Sequence, residues 1–212
     1  MASARPFLIK ICGVTRAEDA AAAAAAGAGA IGVNLWPGSK RFVGGDAAAR
    51  GVLAAIPRGV LRVGVFVNAA PAEVERARAE LGLDRVQLHG DETPGAFAAL
   101  PREALIRAVR VRDEASFADD GAWRAGLFLY DAFVEGFGGG GMAAPWPLIA
   151  RRAARPFLLA GGLTSENVAA AIAHARPDGV DVASGVERGP GVKDPERVAA
   201  FIEAARSAAA RL

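Results

Sequence analysis

The sequence predicts a single α/β domain over residues 1–212, a (β/α)8 TIM barrel of the phosphate-binding type. Three observations carry this. About eight short β-branched runs alternate with about eight alanine-rich helical stretches in 212 residues, the order and length of a closed parallel barrel. The first run ends in CGVT and not in the glycine-rich loop that an open dinucleotide-binding sheet places after its first strand. Small, polar or titratable residues stand directly after the apolar runs, where a barrel gathers its chemistry.

The elements follow in order. FLIKIC (7–12) is the first strand, and the alanine stretch 17–26 the first helix, with Thr15 and Glu18 as its start signal. AIGVNLW (30–36) leads to helix 46–56, and RVGVFV (62–67) to helix 71–81, with Pro71 suited to a first helical position. DRVQLH (84–89) precedes a short helix after Thr93, and ALIRAVRV (104–111) a helix over 115–122. GLFLYDA (126–132) precedes helix 145–152, and PFLLAG (156–161) precedes helix 165–175, with Ser165 behind Thr164 as its cap. DGVDVAS (178–184) is the eighth strand, and Pro195 opens the last helix, 195–210. No low-complexity linker divides the chain.

Composition narrows the function classes. A net charge of +2, with no dense basic cluster interleaved with aromatics, argues against nucleic acid as the main partner. The longest bland run, polyalanine at 20–26, is too short and too weakly apolar to span a bilayer. MASARPFLIK lacks the apolar core and cleavage site of a secretory signal, so a cytoplasmic location is the expectation. One cysteine cannot form an internal disulfide, and with two histidines it makes a metal site improbable. By composition alone that cysteine reads as a small buried hydrophobe.

Position changes that reading. Cys12 ends the first strand and Asp131 lies near the end of the sixth, so a barrel points both into one mouth. A free thiol titrates near ~8.5, and a modest cationic push yields thiolate at neutral pH. Strand alternation turns Lys10 inward with Cys12, leaving Ile9 and Ile11 toward the helices. In the eighth strand Asp181 and Ala183 turn inward, while Val180 and Val182 turn outward. Strands one and eight are neighbours in a closed barrel, so Lys10 and Asp181 are expected to pair inside it and set the field at the thiol. Asp131 stands between bulky apolar neighbours in LYDAF, where desolvation favours the neutral acid. The strand–turn segments around Gly161-Gly162 and Ser184-Gly185 sit after the seventh and eighth strands, where backbone N–H groups can cradle a phosphate.

The string KICGVT resembles the opening of phosphoribosylanthranilate isomerases of tryptophan biosynthesis. The resemblance continues through GVNLWPGSKRFV, VGVFVN, VQLHGDE, LYDAF, the FGGGG and Trp146 region, LLAGGLTSENV and GVDVASGVERGPGVKD, which is essentially the whole chain. It implies an Amadori rearrangement of N-(5-phosphoribosyl)anthranilate to 1-(2-carboxyphenylamino)-1-deoxyribulose 5-phosphate, with Cys12 as general base, Asp131 as general acid and no metal or cofactor. It further implies that Arg41 engages the anthranilate carboxylate. Gln87 and His89, at the end of strand four, are expected to line the substrate pocket, with a structural role for His89 ahead of a chemical one. Two departures from the family pattern stand out: FGGGG at 137–141 where FGGTG is usual, and Ala183-Ser184 where two serines are usual. The alternatives are a non-catalytic phosphosugar-binding barrel and the related aminoaldose isomerase of histidine biosynthesis. The latter family has an aspartate where this chain has Cys12. The expected partner is a small phosphosugar, with neither nucleic acid nor membrane; a monomer is the default, with a homodimer the alternative.

Overall fold

The computed structural model of the chain describes residues 6–133 and 144–212. Eight parallel strands close into a barrel in chain order: β1 (Leu8–Ile11), β2 (Ala30–Asn34), β3 (Leu61–Phe66), β4 (Arg85–Leu88), β5 (Leu105–Val111), β6 (Leu127–Ala132), β7 (Phe157–Leu159) and β8 (Gly179–Val182). The seam is β1 against β8, with Lys10 opposite Asp181 and Ile11 opposite Val182. Alternation sorts the side chains into two layers. Ala30, Val63, Ile106, Ala108, Leu127, Leu129, Leu158 and Ala160 fill the barrel. Ile9, Ile11, Val33, Tyr130, Phe157, Val180 and Val182 face outward, in one core with helix residues such as Val74, Ile149 and Phe201.

The outer layer among the described residues has six α-helices: α1 (Ala17–Ala26), α2 (Asp46–Ala54), α3 (Pro71–Leu81), α4 (Trp146–Arg152), α5 (Val168–Ala175) and α6 (Pro195–Ala209). The helix expected after Thr93 is a 3-10 turn, Pro94–Phe97, and that expected over 115–122 is two of them, Glu114–Phe117 and Asp120–Ala122. The cause lies in the local hydrogen bonding. Asp113 accepts from the Ala115 N–H and, with Ser116, closes a single turn, while Asp120 is drawn onto β6 by the Tyr130 hydroxyl at 2.5 Å. None of the helices among the described residues is long and apolar enough to cross a membrane.

Three helix starts test the capping expectations. α6 begins as Asp194 accepts from the N–H groups of Glu196 and Arg197, with Pro195 in the first turn. Thr15 caps nothing, because its hydroxyl donates to the Gly191 carbonyl across the barrel rim at 2.7 Å, and Arg16 takes the cap position. α5 starts at Val168 and not at 165, since the Asn167 side chain folds back, accepting from the Thr164 N–H and donating to the Gly162 carbonyl. A short antiparallel hairpin that the sequence reading lacked, β9 (Glu187–Gly189) with β10 (Val192–Lys193), follows β8.

Candidate active site

The C-terminal rim of the barrel is built strand by strand. Cys12 follows β1, and its N–H donates to the Val182 carbonyl of β8 at 2.8 Å. Lys10 below it is 0% exposed, and its Nζ lies 2.7 Å from Asp181 Oδ1, as alternation and closure require. Gly32 on β2 makes room for this group: a Cβ there would stand 3.0 Å from both Cys12 Sγ and Lys10 Nζ. Burial penalises the ammonium of Lys10, but Asp181 and then Cys12 outweigh it and hold the lysine charged, well above its ordinary range. The thiol goes the other way. Burial and Asp181 push Cys12 up, and Lys10 and Lys193 pull it down without prevailing. The expected push toward thiolate is therefore present but overruled, because the carboxylate that pairs with Lys10 also faces the sulfur.

Asp131 comes from β6, between the outward Tyr130 and the outward Ala132. Its Oδ1 accepts from the Ala132 N–H at 2.8 Å, and its Oδ2 faces His89 Nε2 at 3.5 Å. Gln87 and His89, inward at the end of β4, are joined through Gln87 Nε2 and His89 Nδ1 at 2.9 Å. Gly161 takes φ +86°, and a Cβ on it would lie 2.6 Å from the Ala132 nitrogen and 3.0 Å from Asp131 Oδ1. Glycine there lets the loop after β7 close on the acid. The same kind of contact joins the two glycine loops. A Cβ on Gly185 would stand 1.9 Å from the Leu163 carbonyl oxygen, so Ser184-Gly185 and Gly161-Gly162 belong to one packed unit.

Arg41 reaches the rim from the loop after β2. Its side chain lies against Gly13, where a Cβ would be 2.3 Å from Arg41 Cδ. Its Nε and Nη2 donate to the two oxygens of Glu187 at 2.8 and 2.7 Å, a bidentate pair. Glu187 and Lys193 escaped the sequence reading. Lys193 Nζ donates to Glu187 Oε1 at 2.7 Å and to the Ala183 carbonyl, and its backbone N–H donates to Asp19 Oδ2. Burial opposes the Glu187 carboxylate, yet Arg41 and Lys193 hold its pKa below the ordinary range. At Lys193 burial wins, and the ammonium is pushed down in spite of Glu187. The signal for this pair was in GVERGPGVKD, where two charges of opposite sign flank a glycine turn. The FGGGG departure at 137–141 lies outside the described residues. Ala183, the other departure, contributes its carbonyl to Lys193, a contact for which the side chain is immaterial.

Comparison with known proteins places this geometry. Residues 9–204 match the family model for N-(5'-phosphoribosyl)anthranilate (PRA) isomerase. A relative from Pseudomonas fluorescens, an N-(5'-phosphoribosyl)anthranilate isomerase, is 46% identical over 200 residues, covering 93% of this chain and 94% of its own. The crystal structure of phosphoribosyl anthranilate isomerase from Thermotoga maritima superposes with a TM-score of 0.87 at 37% identity, over 95% of this chain and 99% of that one. A phosphoribosyl anthranilate isomerase in complex with reduced 1-(o-carboxyphenylamino)-1-deoxyribulose 5-phosphate gives a TM-score of 0.82 at 36% identity, over the same shares of 95% and 99%.

Proposed function

The chain belongs to the N-(5'-phosphoribosyl)anthranilate isomerase family, and from that premise we propose that Cys12 and Asp131 are the base and acid of its reaction. The activity is the Amadori rearrangement of N-(5-phosphoribosyl)anthranilate to 1-(2-carboxyphenylamino)-1-deoxyribulose 5-phosphate, a step of tryptophan biosynthesis. The observation that supports the assignment is a thiol on β1 and a carboxyl on β6 at the same end of one barrel.

Asp131 in its acid form protonates the furanose ring oxygen, the C1–O bond breaks, and the nitrogen lone pair forms an iminium at C1. Cys12 then takes the proton from C2, and the electron pair of that bond moves to close an enolamine. Tautomerisation gives the ketone. Burial and Asp181 raise the thiol pKa, so the thiol proton leaves to solvent as the iminium forms, because a cation generated beside the sulfur favours thiolate. This thiolate takes the C2 proton. Arg41 has five N–H donors and spends two on Glu187, leaving others for the anthranilate carboxylate. Gly161, Gly162, Ser184 and Gly185 hold the phosphate by the backbone and one hydroxyl.

Turnover is followed by the loss of phosphoribosylanthranilate fluorescence. Cys12→Ser and Asp131→Asn are each expected to lower kcat by about 10²-fold or more, with binding of a phosphate analogue retained. Full activity in either variant removes that residue from its role.

A further inference from the structure

In the barrel mouth the buried atoms Gln87 Oε1 and His89 Nε2 have no hydrogen-bond partner among the described residues. Gln87 is 1% exposed and His89 9%. A buried polar atom without a partner is costly, and such an atom in a mouth marks a place a ligand atom fills. The tautomer of His89 follows from its neighbour. An amide nitrogen can only donate, so Gln87 Nε2, 2.9 Å from Nδ1, requires the lone pair on Nδ1 and the proton on Nε2. That Nε2–H is aimed at Asp131 Oδ2 across 3.5 Å, too long for a strong direct bond. Oδ1 of Asp131 is already an acceptor for the Ala132 N–H, so the acid's proton belongs on Oδ2, the oxygen facing His89.

We propose that neutral His89 is a second hydrogen-bond donor to the oxygen that Asp131 protonates, and that Gln87 is the positioning residue that locks its tautomer. The inference rests on the reading of Asp131 as the acid. A ring oxygen seated between Nε2 and Oδ2 accepts from both groups. As the C1–O bond breaks, negative charge grows on that oxygen and the Nε2–H bond strengthens, which is the condition for a contact to raise kcat and not merely binding. A neutral imidazole keeps its proton, so it stabilises the oxygen without competing for the transfer. Once Asp131 has given up its proton, the same N–H faces the new carboxylate.

The test combines nitrogen NMR with kinetics on the full-length chain, using the substrate phosphoribosylanthranilate. In the wild type, His89 should show a protonated Nε2 and a bare Nδ1. His89→Met fills the space without a donor and should lower kcat by about 10²-fold with KM within about twofold. His89→Gln, whose amide N–H reaches near the former Nε2, should recover about tenfold of that loss. Gln87→Met leaves the ring in place but frees it, so both tautomers should appear and kcat should fall by about tenfold. If His89→Met fails to fold, the Gln87→Met spectrum and kcat decide the matter alone. A wild-type Nδ1–H tautomer, or kcat within about threefold of wild type in both His89→Met and Gln87→Met, overturns the proposal. An inactive wild type overturns the parent reading instead, and the two spectra still decide whether Gln87 sets the tautomer.

Discussion

At Cys12 two cations and one anion compete over a single proton. Asp181 pushes the thiol up in company with burial, while Lys10 and Lys193 pull it down. Substitutions therefore have opposite signs. Asp181→Asn removes the opposing anion and leaves Lys10 without its carboxylate, so the thiol titrates lower. Lys10→Met removes a cation, and the thiol titrates higher still. The pH dependence of iodoacetamide alkylation measures both, since only thiolate reacts. A midpoint that stays put in both variants would show that the pair does not govern the sulfur. The pair itself was legible in the sequence, down to which two residues meet. A period of two along each strand and closure of strand one on strand eight were enough to place Lys10 against Asp181. The net direction at the thiol was not legible, because it depends on how two opposed neighbours and burial balance at one atom.

Among the elements, the β9–β10 hairpin is bonded to the loop after β2 through Glu187. Glu187, buried between Arg41 and Lys193, ties three segments together. Glu187→Gln keeps the shape but strands two cations, so unfolding in urea should show a loss on the order of 3 kcal/mol, with a raised KM. Gly185→Ala must drive a Cβ into the Leu163 carbonyl. Backbone cannot yield there as a flexible side chain does, so the loops after β7 and β8 separate. Inhibition by a simple sugar phosphate should weaken by about tenfold, while the thiol titration stays unchanged. Neither the Arg41–Glu187 pair nor the Gly185 contact was readable in advance. Arg41 and Glu187 are 146 residues apart, and no local pattern pairs them. The strand order and the helices 17–26 and 71–81 were readable because their periodicity is local and regular. The stretch 115–122 misled because its alanines favour helix, while Asp113, Ser116 and Asp120 satisfy the backbone or a neighbouring side chain in shorter turns.

For the whole molecule, the seam between β1 and β8 joins the first strand to the last. Its interior ion pair is a weak source of net stability but a costly one to break. Lys10→Met alone is expected to destabilise by about 3–5 kcal/mol, and the double variant Lys10→Met/Asp181→Leu to regain most of that loss in a denaturant titration. Additive losses would mean that the two do not interact. The same seam has a consequence for how the chain is made. Three contacts around Cys12 span most of the chain: Lys10 to Asp181, Thr15 to the Gly191 carbonyl, and Asp19 to the Lys193 N–H, at separations of 171, 176 and 174 residues. Cys12 and Lys10 leave the ribosome long before Asp181, the carboxylate that raises the thiol pKa, and Lys193, the lesser of the two cations that lower it. During synthesis the sulfur is an ordinary thiol, without the burial and the Asp181 carboxylate that raise its pKa in the finished barrel. Pulse labelling at neutral pH during refolding should find Cys12 alkylated at the rate of a free thiol until β8 associates with β1, and more slowly from that moment, as the thiolate fraction falls.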